Sequence, residues 1–242
     1  MTSIAGKVAI VTGGGSGIGR GIATALARSG VRVAVCGRRK KNLDETVRSI
    51  SGSGGDGMAV QVDVSDEGDV ENLIDQVLEC YGRIDFLVNN AGIDGGAPIH
   101  AHSVEEWDRV MAINLRGPFL TARAVLPGMR ARRSGHIIQI SSESGIEYYP
   151  GNGAYGVAKH ALNALSEFIQ RENQDLNIRV DTICPGMVIS EMTKDDPELN
   201  LERCLTPEDI ADLVIWLLSR RANIKIGTPI LIQTMLNPWE QP

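Results

Sequence analysis

Tyr155 and Lys159 are the residues whose types and spacing most directly predict a chemical step. Residues four positions apart share one face of a helix, one turn from each other. A phenol has a pKa of about 10 in water, and a neighbouring ammonium stabilises the phenolate and moves that pKa toward neutrality. Tyr155 can then protonate a developing alkoxide or remove a proton from an alcohol. Because the spacing alone is a weak signal, a chance pair on a helix surface is the alternative.

A glycine-rich loop near the start of the chain predicts that this chemistry uses a nucleotide. Residues 12–19 read Thr-Gly-Gly-Gly-Ser-Gly-Ile-Gly and lie between an apolar strand and an amphipathic helix. Glycines permit a tight turn and let the backbone approach a pyrophosphate, while the helix N-terminus presents N–H groups to it. An ordinary glycine-rich turn is the alternative, and the context of strand, loop and helix favours nucleotide binding. The candidate residues are Gly13, Ser16, Gly17, Ile18 and Gly19.

The end of the second predicted strand favours NADP(H) over NAD(H). An NAD-binding enzyme places a carboxylate about 20 residues beyond the glycine loop, where it accepts a hydrogen bond from the ribose 2′-hydroxyl. Gly37 occupies that place, and Arg38 and Arg39 follow at once. A guanidinium holds a 2′-phosphate by charge-assisted hydrogen bonds, so both arginines are candidates and Arg39 is the weaker one. Lys40 and Lys41 fit a solvated helix start better.

Strand-like and helix-like segments alternate along the chain and position these residues. Apolar runs typical of buried parallel strands occupy residues 8–11, 31–35, 58–62, 86–88, 136–140, 178–183 and 229–232. Helical periodicity covers residues 19–28, 66–80, 104–132 (with a break expected near 117–118), 154–175 and 207–219. Residues 51–55 are expected to form a loop between a helix and a strand, and Thr206 is predicted to cap the last helix.

This alternation predicts an α/β, doubly wound Rossmann fold. We expect about seven mostly parallel strands flanked by helices, because strands and helices in turn imply right-handed βαβ units. No linker or repeat divides the chain, so residues 1–242 are predicted to form a single dinucleotide-binding and catalytic domain.

Motifs at the strand ends give the sequence a family resemblance. The glycine spacing Thr-Gly-x-x-x-Gly-x-Gly, the tetrapeptide Asn-Asn-Ala-Gly at residues 89–92 and Tyr-x-x-x-Lys at residues 155–159 occur in that order. With them the chain resembles the short-chain dehydrogenase/reductase family over essentially its whole length. It is similar to the short single-domain members, such as 3-oxoacyl reductases and related carbonyl reductases. The resemblance implies a nicotinamide dinucleotide cofactor and hydride transfer to or from a carbonyl carbon.

The resemblance also implies roles that the residue types alone do not give. Ser142, in a Ser-x-x-Gly turn, holds the substrate oxygen beside Tyr155, and Asn114 supports a water that links Lys159 to a proton relay. Lys159 also binds the nicotinamide ribose, and Ser144 is a less favoured alternative to Ser142. The implied cofactor contacts beyond the glycine loop, Tyr155 and Lys159 are Arg38 at the 2′-phosphate, Asp63 and Val64 at the adenine, Asn90 at the adenosine ribose, and Val188 and Ser190 near the carboxamide. Structural alternatives are a turn cap for Asp63 and a polar helix kink for Asn114.

Composition and charge exclude other classes of protein. A net charge of −6 and a pI of about 5.3 give no electrostatic basis for binding nucleic acid or an anionic membrane. With 43% hydrophobic and 22% charged residues, the chain has the composition of a globular protein with a core, not of a disordered one. The four cysteines and four histidines lack metal-ligand or disulfide spacing, so we predict no metal and a reducing, cytoplasmic location.

We therefore predict an NADP(H)-dependent oxidoreductase that interconverts a carbonyl and a secondary or primary alcohol of a small molecule by hydride transfer. The alternatives are the same chemistry with NAD(H) and a nucleotide-sensing binding protein on the same fold. The resemblance implies a homodimer or homotetramer through helices 104–132 and 154–175. The tail, however, lacks the Asp-Gly-Gly that follows the last strand in many relatives. Residues 190–203 form the expected substrate lid, and Glu143 and Glu147 either meet a polar or cationic substrate group or belong to a solvated loop.

Overall fold

The computed structural model describes residues 2–190, 193 and 196–240 of the chain. Their strands form one parallel sheet in the order β3-β2-β1-β4-β5-β6-β7. The strands are β1 Val8–Thr12, β2 Arg32–Gly37, β3 Gly57–Gln61, β4 Phe86–Asn89, β5 Gly135–Ile140, β6 Ile178–Pro185 and β7 Ile230–Ile232. The α-helices are α1 Gly17–Arg28, α2 Lys40–Gly52, α3 Glu67–Tyr81, α4 Val104–Met111, α5 Gly117–Arg132, α6 Gly153–Asn173 and α7 Pro207–Leu218. The predicted doubly wound α/β fold is confirmed.

Apolar side chains on both faces of the sheet hold the two helical layers. Along β1, Ile10 packs into the cluster with α3 and α5, whereas Val11 packs into the cluster with α1 and α7. Successive side chains of a strand point to opposite faces, so a strand buried on both sides needs apolar residues at every position. The continuous apolar runs in the sequence have this cause.

The order of the strands places a switch point beside β1. The chain runs from β1 to β2 and β3 on one side and then returns to pair β4 with the other side of β1. In such sheets, ligands bind beyond the carboxyl ends of the strands at the point where the order reverses. The loops after β1 and β4 carry the glycine-rich sequence and the tetrapeptide Asn-Asn-Ala-Gly.

The predicted helix 104–132 is interrupted one turn earlier than expected. A π-helical turn, Ala112–Arg116, separates α4 from α5, and the rod continues through residues 117–118. Pro118 lies in the first turn of α5, where a missing N–H costs no regular helical hydrogen bond. The wide turn therefore falls before the proline, and it contains the buried Asn114. Turns of this kind occur frequently at functional sites.

Other boundaries differ slightly from those predicted. Helix α2 continues through Gly52, so the expected loop 51–55 is shorter and ends at β3. The predicted cap of α7 is confirmed, since Thr206 and Asp209 form a reciprocal capping box. Among the described residues, no helix is long and apolar enough to cross a membrane.

A buried polar network ties the amino-terminal end of β5 to β6 and to the chain that follows α7. His136 Nε2 lies 2.7 Å from Asp181 Oδ2, and the Arg179 guanidinium lies 2.9 Å from His136 Nδ1. Arg179 also donates to the carbonyls of Leu217 and Ile224. Burial lowers the pKa of His136, and the charge of Arg179 lowers it further against the opposing effect of Asp181. Because Arg179 donates to Nδ1, the ring is neutral and carries its proton on Nε2.

This network predicts a loss of stability in mild acid. The free energy of unfolding should decrease as the pH falls below about 6.5, because unfolded His136 binds a proton that the folded protein does not accept. His136→Asn does not titrate, so it should be less stable than the wild type by about 1–3 kcal/mol at neutral pH. It should then lose less stability between about pH 7.5 and about pH 5.5.

Urea unfolding at the two pH values measures the effect, with His100→Asn as the control at an exposed histidine. Equal losses of stability in the wild type and in His136→Asn would show that another group titrates in this range.

Candidate active site

One cleft of about 750 Å³ lies at the carboxyl ends of the strands. It is lined by the loops that follow β1 to β6, together with the amino-terminal part of α6. The predicted residues that line this cleft are Gly13, Ser16, Gly17, Ile18, Arg38, Asp63, Val64, Asn90, Ser142, Tyr155, Lys159, Val188 and Ser190. Gly19 and Asn114 do not line the cleft but contact residues that do. The structure thus brings the predicted binding and catalytic groups together.

The glycine loop is held against the end of β4. Asn90 Nδ2 donates to the Thr12 carbonyl at 3.0 Å, and Thr12 Oγ1 accepts the backbone N–H groups of Asn90 and Ala91 at 3.0 Å each. A side chain at Gly19 would collide with the Gly13 carbonyl and with the Asn90 amide. The loop therefore needs glycine at this position to reach β4.

The start of α1 offers N–H groups to the cleft. Ser16 precedes the helix in an extended conformation, and its side chain does not cap the first turn. Its Oγ instead accepts a hydrogen bond of 2.9 Å from the Arg39 guanidinium. Amide groups at a helix N-terminus, with the positive end of the helix dipole, bind anions such as a pyrophosphate. The donors present fit a dinucleotide.

Arg38 and Arg39 both line the cleft at the end of β2, and both are exposed. Across from them, the Asp63 carboxylate accepts hydrogen bonds from the Ser65 N–H at 3.0 Å and from the Ser65 hydroxyl at 2.6 Å. Burial raises the pKa of Asp63, but these hydrogen bonds and the charge of Arg38 outweigh it, so the pKa lies below its usual value. Asp63 therefore caps a turn and also faces the cleft. It is compatible with both interpretations of this residue, the turn cap and the contact with the adenine.

Tyr155 and Lys159 lie one turn apart on α6, as their spacing predicts. Lys159 is buried, and its ammonium donates to the Ile140 carbonyl at 2.9 Å and lies 5.3 Å from the centroid of the Tyr155 ring. Burial lowers the pKa of Lys159 to about 8. The ammonium is thus fixed near the phenol by a backbone acceptor at the end of β5.

Lys159 does not bring the pKa of Tyr155 below its usual value in this arrangement, contrary to the expectation from the sequence. Burial raises the pKa of Tyr155 to about 12, and the carboxylates of Asp94 and Glu143 add to the increase. A hydrogen bond from Ser142 opposes these effects only in part. Desolvation of the phenolate is therefore the largest effect on this pKa. Tyr155 is accordingly protonated at neutral pH, the form that a proton donor requires.

Ser142 is the serine of this segment that meets Tyr155. It precedes the short 3₁₀ turn Glu143–Gly145, and its Oγ accepts the N–H of Ser144 at 3.1 Å. The Ser141 hydroxyl donates instead to the Lys159 carbonyl. Ser144, the alternative, accepts a hydrogen bond from Asn152. The geometry therefore favours Ser142 as the group that orients a substrate oxygen.

Asn114 is held in the π turn by the backbone of Ile93. Its Oδ1 accepts the Ile93 N–H at 3.0 Å, and its Nδ2 donates to the Ile93 carbonyl at 2.8 Å. A side chain at Gly92 would lie 2.8 Å from Asn114 Oδ1 and 3.7 Å from Lys159 Nζ. Asn114 and Lys159 therefore approach the same glycine, so this polar residue at the helix break is also part of the site.

Reasoning from the sequence missed three groups. Thr12 belongs to the motif of the glycine loop, and the sequence gives no sign that its hydroxyl joins the two loops. Asp94 lies two residues after the Asn-Asn-Ala-Gly motif and lines the cleft, so its place beyond β4 is a signal that the sequence offers. Trp239 lines the cleft from the C-terminal tail, and only the fold reveals it. Of the two glutamates after Ser142, Glu143 lines the cleft and Glu147 is exposed.

Two further expectations concern the lid and the tyrosines. Residues 191, 192, 194 and 195 of the expected lid 190–203, including the predicted polar Glu191, Lys194 and Asp195, lie outside the described residues. Tyr148 stacks on His160 with ring centroids 4.8 Å apart, and Tyr149 forms a hydrogen bond with Glu143. Neither tyrosine lines the cleft, and Tyr148 is 84% exposed.

Comparison with known proteins identifies the family. Residues 7–200 match the short chain dehydrogenase family. The chain belongs to the short-chain dehydrogenase/reductase family. The 2-(R)-hydroxypropyl-CoM dehydrogenase of Xanthobacter autotrophicus is 37% identical over 241 residues, which cover 93% of this chain and 96% of that protein.

Solved structures of this family share the fold. Levodione reductase superposes with a TM-score of 0.90 at 31% identity, over 95% of this chain and 96% of that one. A metagenomic short-chain oxidoreductase in complex with NADP gives a TM-score of 0.85 at 35% identity, over 97% of this chain and all of that one. This short-chain dehydrogenase/reductase is therefore an oxidoreductase that acts on CH–OH groups of small molecules with a nicotinamide cofactor.

The contact at Gly19 predicts how the dinucleotide site responds to an added methyl group. Gly19→Ala should weaken NADPH binding by about tenfold or more, because the methyl group would push the Asn90 amide and the Gly13 carbonyl apart. Gly52→Ala is the matched control, since a side chain there meets nothing within 4 Å. Isothermal titration calorimetry measures both variants. Unchanged affinity in Gly19→Ala would mean that the loop is not held as described.

Proposed function

We propose that this enzyme is NADP(H)-dependent and interconverts a carbonyl and a secondary or primary alcohol by hydride transfer. One observation carries the proposal. Ser142, Tyr155 and Lys159 meet at one end of a cleft whose other end holds the glycine loop and two arginines. The complex of a similar short-chain oxidoreductase with NADP supports the choice of cofactor.

The residues around the cleft fit the dinucleotide part by part. The first turn of α1, with Gly13, Ser16, Gly17, Ile18 and Gly19, would bind the pyrophosphate. Arg38, with Arg39 beside Ser16, would bind the 2′-phosphate by charge-assisted hydrogen bonds. The remaining contacts that we propose are Asp63 and Val64 at the adenine, Asn90 and Lys159 at the two riboses, and Tyr155 and Val188 at the nicotinamide. When bound, the nicotinamide supplies or accepts the hydride.

The side chains of the protein transfer the proton and stabilise the phenolate that its loss creates. In carbonyl reduction, the Tyr155 hydroxyl gives its proton to the oxygen that becomes the alcohol, and the Ser142 hydroxyl holds that oxygen. The buried Lys159 ammonium then stabilises the phenolate, whose charge is otherwise costly in this desolvated place. Asn114, which the Ile93 backbone holds in place, would support the water that links Lys159 to the proton relay. The proton that Tyr155 gives away would return by this route. Alcohol oxidation runs through the same groups in reverse.

The oligomeric state, the single-domain organisation and the cellular location of the protein stay predictions. We infer a homodimer or homotetramer through α4, α5 and α6, because these helices expose the apolar side chains of Val104, Phe119, Val157 and Phe168. A shallow apolar depression between α4, α5 and α6 includes Met111, Leu115, Phe119 and Leu165. The chain is proposed to act as one binding and catalytic domain in the cytoplasm.

Replacing Tyr155 tests the reaction. Tyr155→Phe should lower kcat by about 10²- to 10⁴-fold, because the proton donor is lost, while NADPH affinity stays within about twofold. Absorbance of the nicotinamide reports turnover with a panel of ketones, aldehydes and alcohols, and calorimetry reports binding. Tyr149→Phe is the control, since this tyrosine lies outside the cleft lining. Full activity in Tyr155→Phe would contradict the mechanism, and absence of turnover by the wild type across the panel would favour the nucleotide-sensing alternative.

Replacing the arginines tests the cofactor. Arg38→Ala should weaken NADPH binding by about 10- to 100-fold and leave NADH binding within about twofold, because only NADPH carries the 2′-phosphate. Arg39→Ala should act in the same direction but less strongly, since its guanidinium also binds Ser16. Lys41→Ala is the control at the exposed helix start. If Arg38→Ala weakened the binding of both cofactors equally, or if the wild type preferred NADH, the NADP(H) assignment would be wrong.

A further inference from the structure

Residues 233–240, which we call the C-terminal segment, return to the cleft after β7. The segment begins beside the reacting groups, because Gln233 Nε2 donates to Glu143 Oε2 at 2.6 Å and Glu143 follows Ser142 in the chain. A side chain at Gly186 would lie 3.0 Å from Gln233 Cγ, which places Gln233 against the turn that ends β6. The segment thus starts at the catalytic end of the cleft, not at the end that holds Arg38.

A set of hydrogen bonds, which we call the Arg203 clasp, holds the rest of the segment. The N–H of Asn200 donates to the Pro238 carbonyl at 2.9 Å, and the Arg203 guanidinium donates to the Glu240 carbonyl at 3.0 Å. The Glu240 carboxylate also lies 3.9 Å from Arg203. In return, the Thr234 hydroxyl donates to the Arg203 carbonyl at 2.7 Å. The clasp fixes the segment to the last part of the lid at both ends.

The clasp presents Trp239 to the cleft. Trp239 lies between the two residues that the clasp binds, Pro238 and Glu240, and it lines the cleft together with Asp196 and Leu199 of the lid. The indole is 47% exposed, so a large part of its surface is available for contact.

We propose that Trp239 is a specificity-determining residue that favours carbonyl substrates bearing a flat, unsaturated ring. An indole face gains more from an offset or edge-on aromatic ring than from a saturated ring of the same size. Gln233 and the Arg203 clasp act as positioning groups that hold Trp239 on the substrate side of Ser142 and Tyr155. This inference rests on the proposed function and adds its substrate class.

Matched ketones test the proposal by turnover. In pairs such as acetophenone and cyclohexyl methyl ketone, Trp239→Ala should lower kcat/KM for the aromatic member by about three- to tenfold, through KM. The saturated member and the KM for NADPH should stay within about twofold. Trp239→Phe should restore most of the preference. Trp216→Ala is the matched control, because Trp216 is an equally exposed tryptophan on α7 outside the cleft lining.

A binding measurement decides the matter where turnover is too slow to compare. The chain has three tryptophans, so 5-fluorotryptophan labelling gives three ¹⁹F signals, which Trp→Phe variants assign. In the presence of NADP⁺, acetophenone should shift the Trp239 signal more than cyclohexyl methyl ketone does, and neither should shift Trp107 or Trp216. Arg203→Ala should broaden or move the Trp239 signal before any ligand is added and should reduce the shift.

The outcomes separate this inference from the proposed function. Equal losses for both ketones in Trp239→Ala, or a rise confined to the KM for NADPH, would overturn the role of Trp239 while leaving the proposed reaction intact. Absence of any ketone-dependent shift of the Trp239 signal would overturn it as well. Failure of the proposed reaction itself would appear instead as full activity in Tyr155→Phe, whatever the result at Trp239.

Discussion

The joint between the loops after β1 and β4 is the contact on which the rest of the site depends. Two parallel strands end side by side there, and Thr12 and Asn90 satisfy each other's backbone and side-chain groups across the gap. Polar groups at such a junction need partners, because an unpaired buried donor or acceptor is costly. The same hydrogen bonds fix the start of α1 on one side and the turn toward Ile93 and Asn114 on the other. The glycine loop and the turn that holds Asn114 are thus joined through one short contact.

The end of the cleft that holds Tyr155 and Lys159 buries two ionisable groups, and the burial of either one without a polar partner would cost free energy. A buried ammonium loses solvation, and a buried phenol resists ionisation. Lys159 recovers part of this energy from the Ile140 carbonyl, and Tyr155 recovers part from Ser142. Both partners come from the end of β5 and the residues directly after it, so the pairing of β5 with β4 and β6 sets the distances. The sheet therefore determines the ionisation of the site as well as its shape.

The order of strands and most of the site follow from patterns in the sequence, because each pattern has a local physical cause. Apolar runs such as β1 reflect burial on both faces, and the spacing of Tyr155 and Lys159 reflects the period of a helix. What the sequence did not reveal depends on contacts between distant residues. Burial has the largest effect on the pKa of Tyr155, and Asp94 and Glu143, which only the fold brings near it, raise the pKa further.

The tail and the π turn were hidden from sequence patterns for different reasons. Trp239 reaches the cleft through hydrogen bonds to Asn200 and Arg203, which lie more than thirty residues earlier in the chain. The π turn is hidden because Pro118 predicts a break at its own position. The wider turn falls before it because the first turn of a helix tolerates the proline.

The π turn also explains how the continuous helical segment from α4 to α5 stays packed against the core over its whole length. Four of the buried residues in this segment, Val110, Asn114, Pro118 and Ala122, recur at every fourth position. In a regular α-helix that repeat would rotate the buried face by about 40° at each step, and within three steps it would turn away from the sheet. A wider turn holds an extra residue and cancels that drift. The inward direction of the Asn114 amide is therefore the same geometric correction that keeps α4 and α5 in line against the protein.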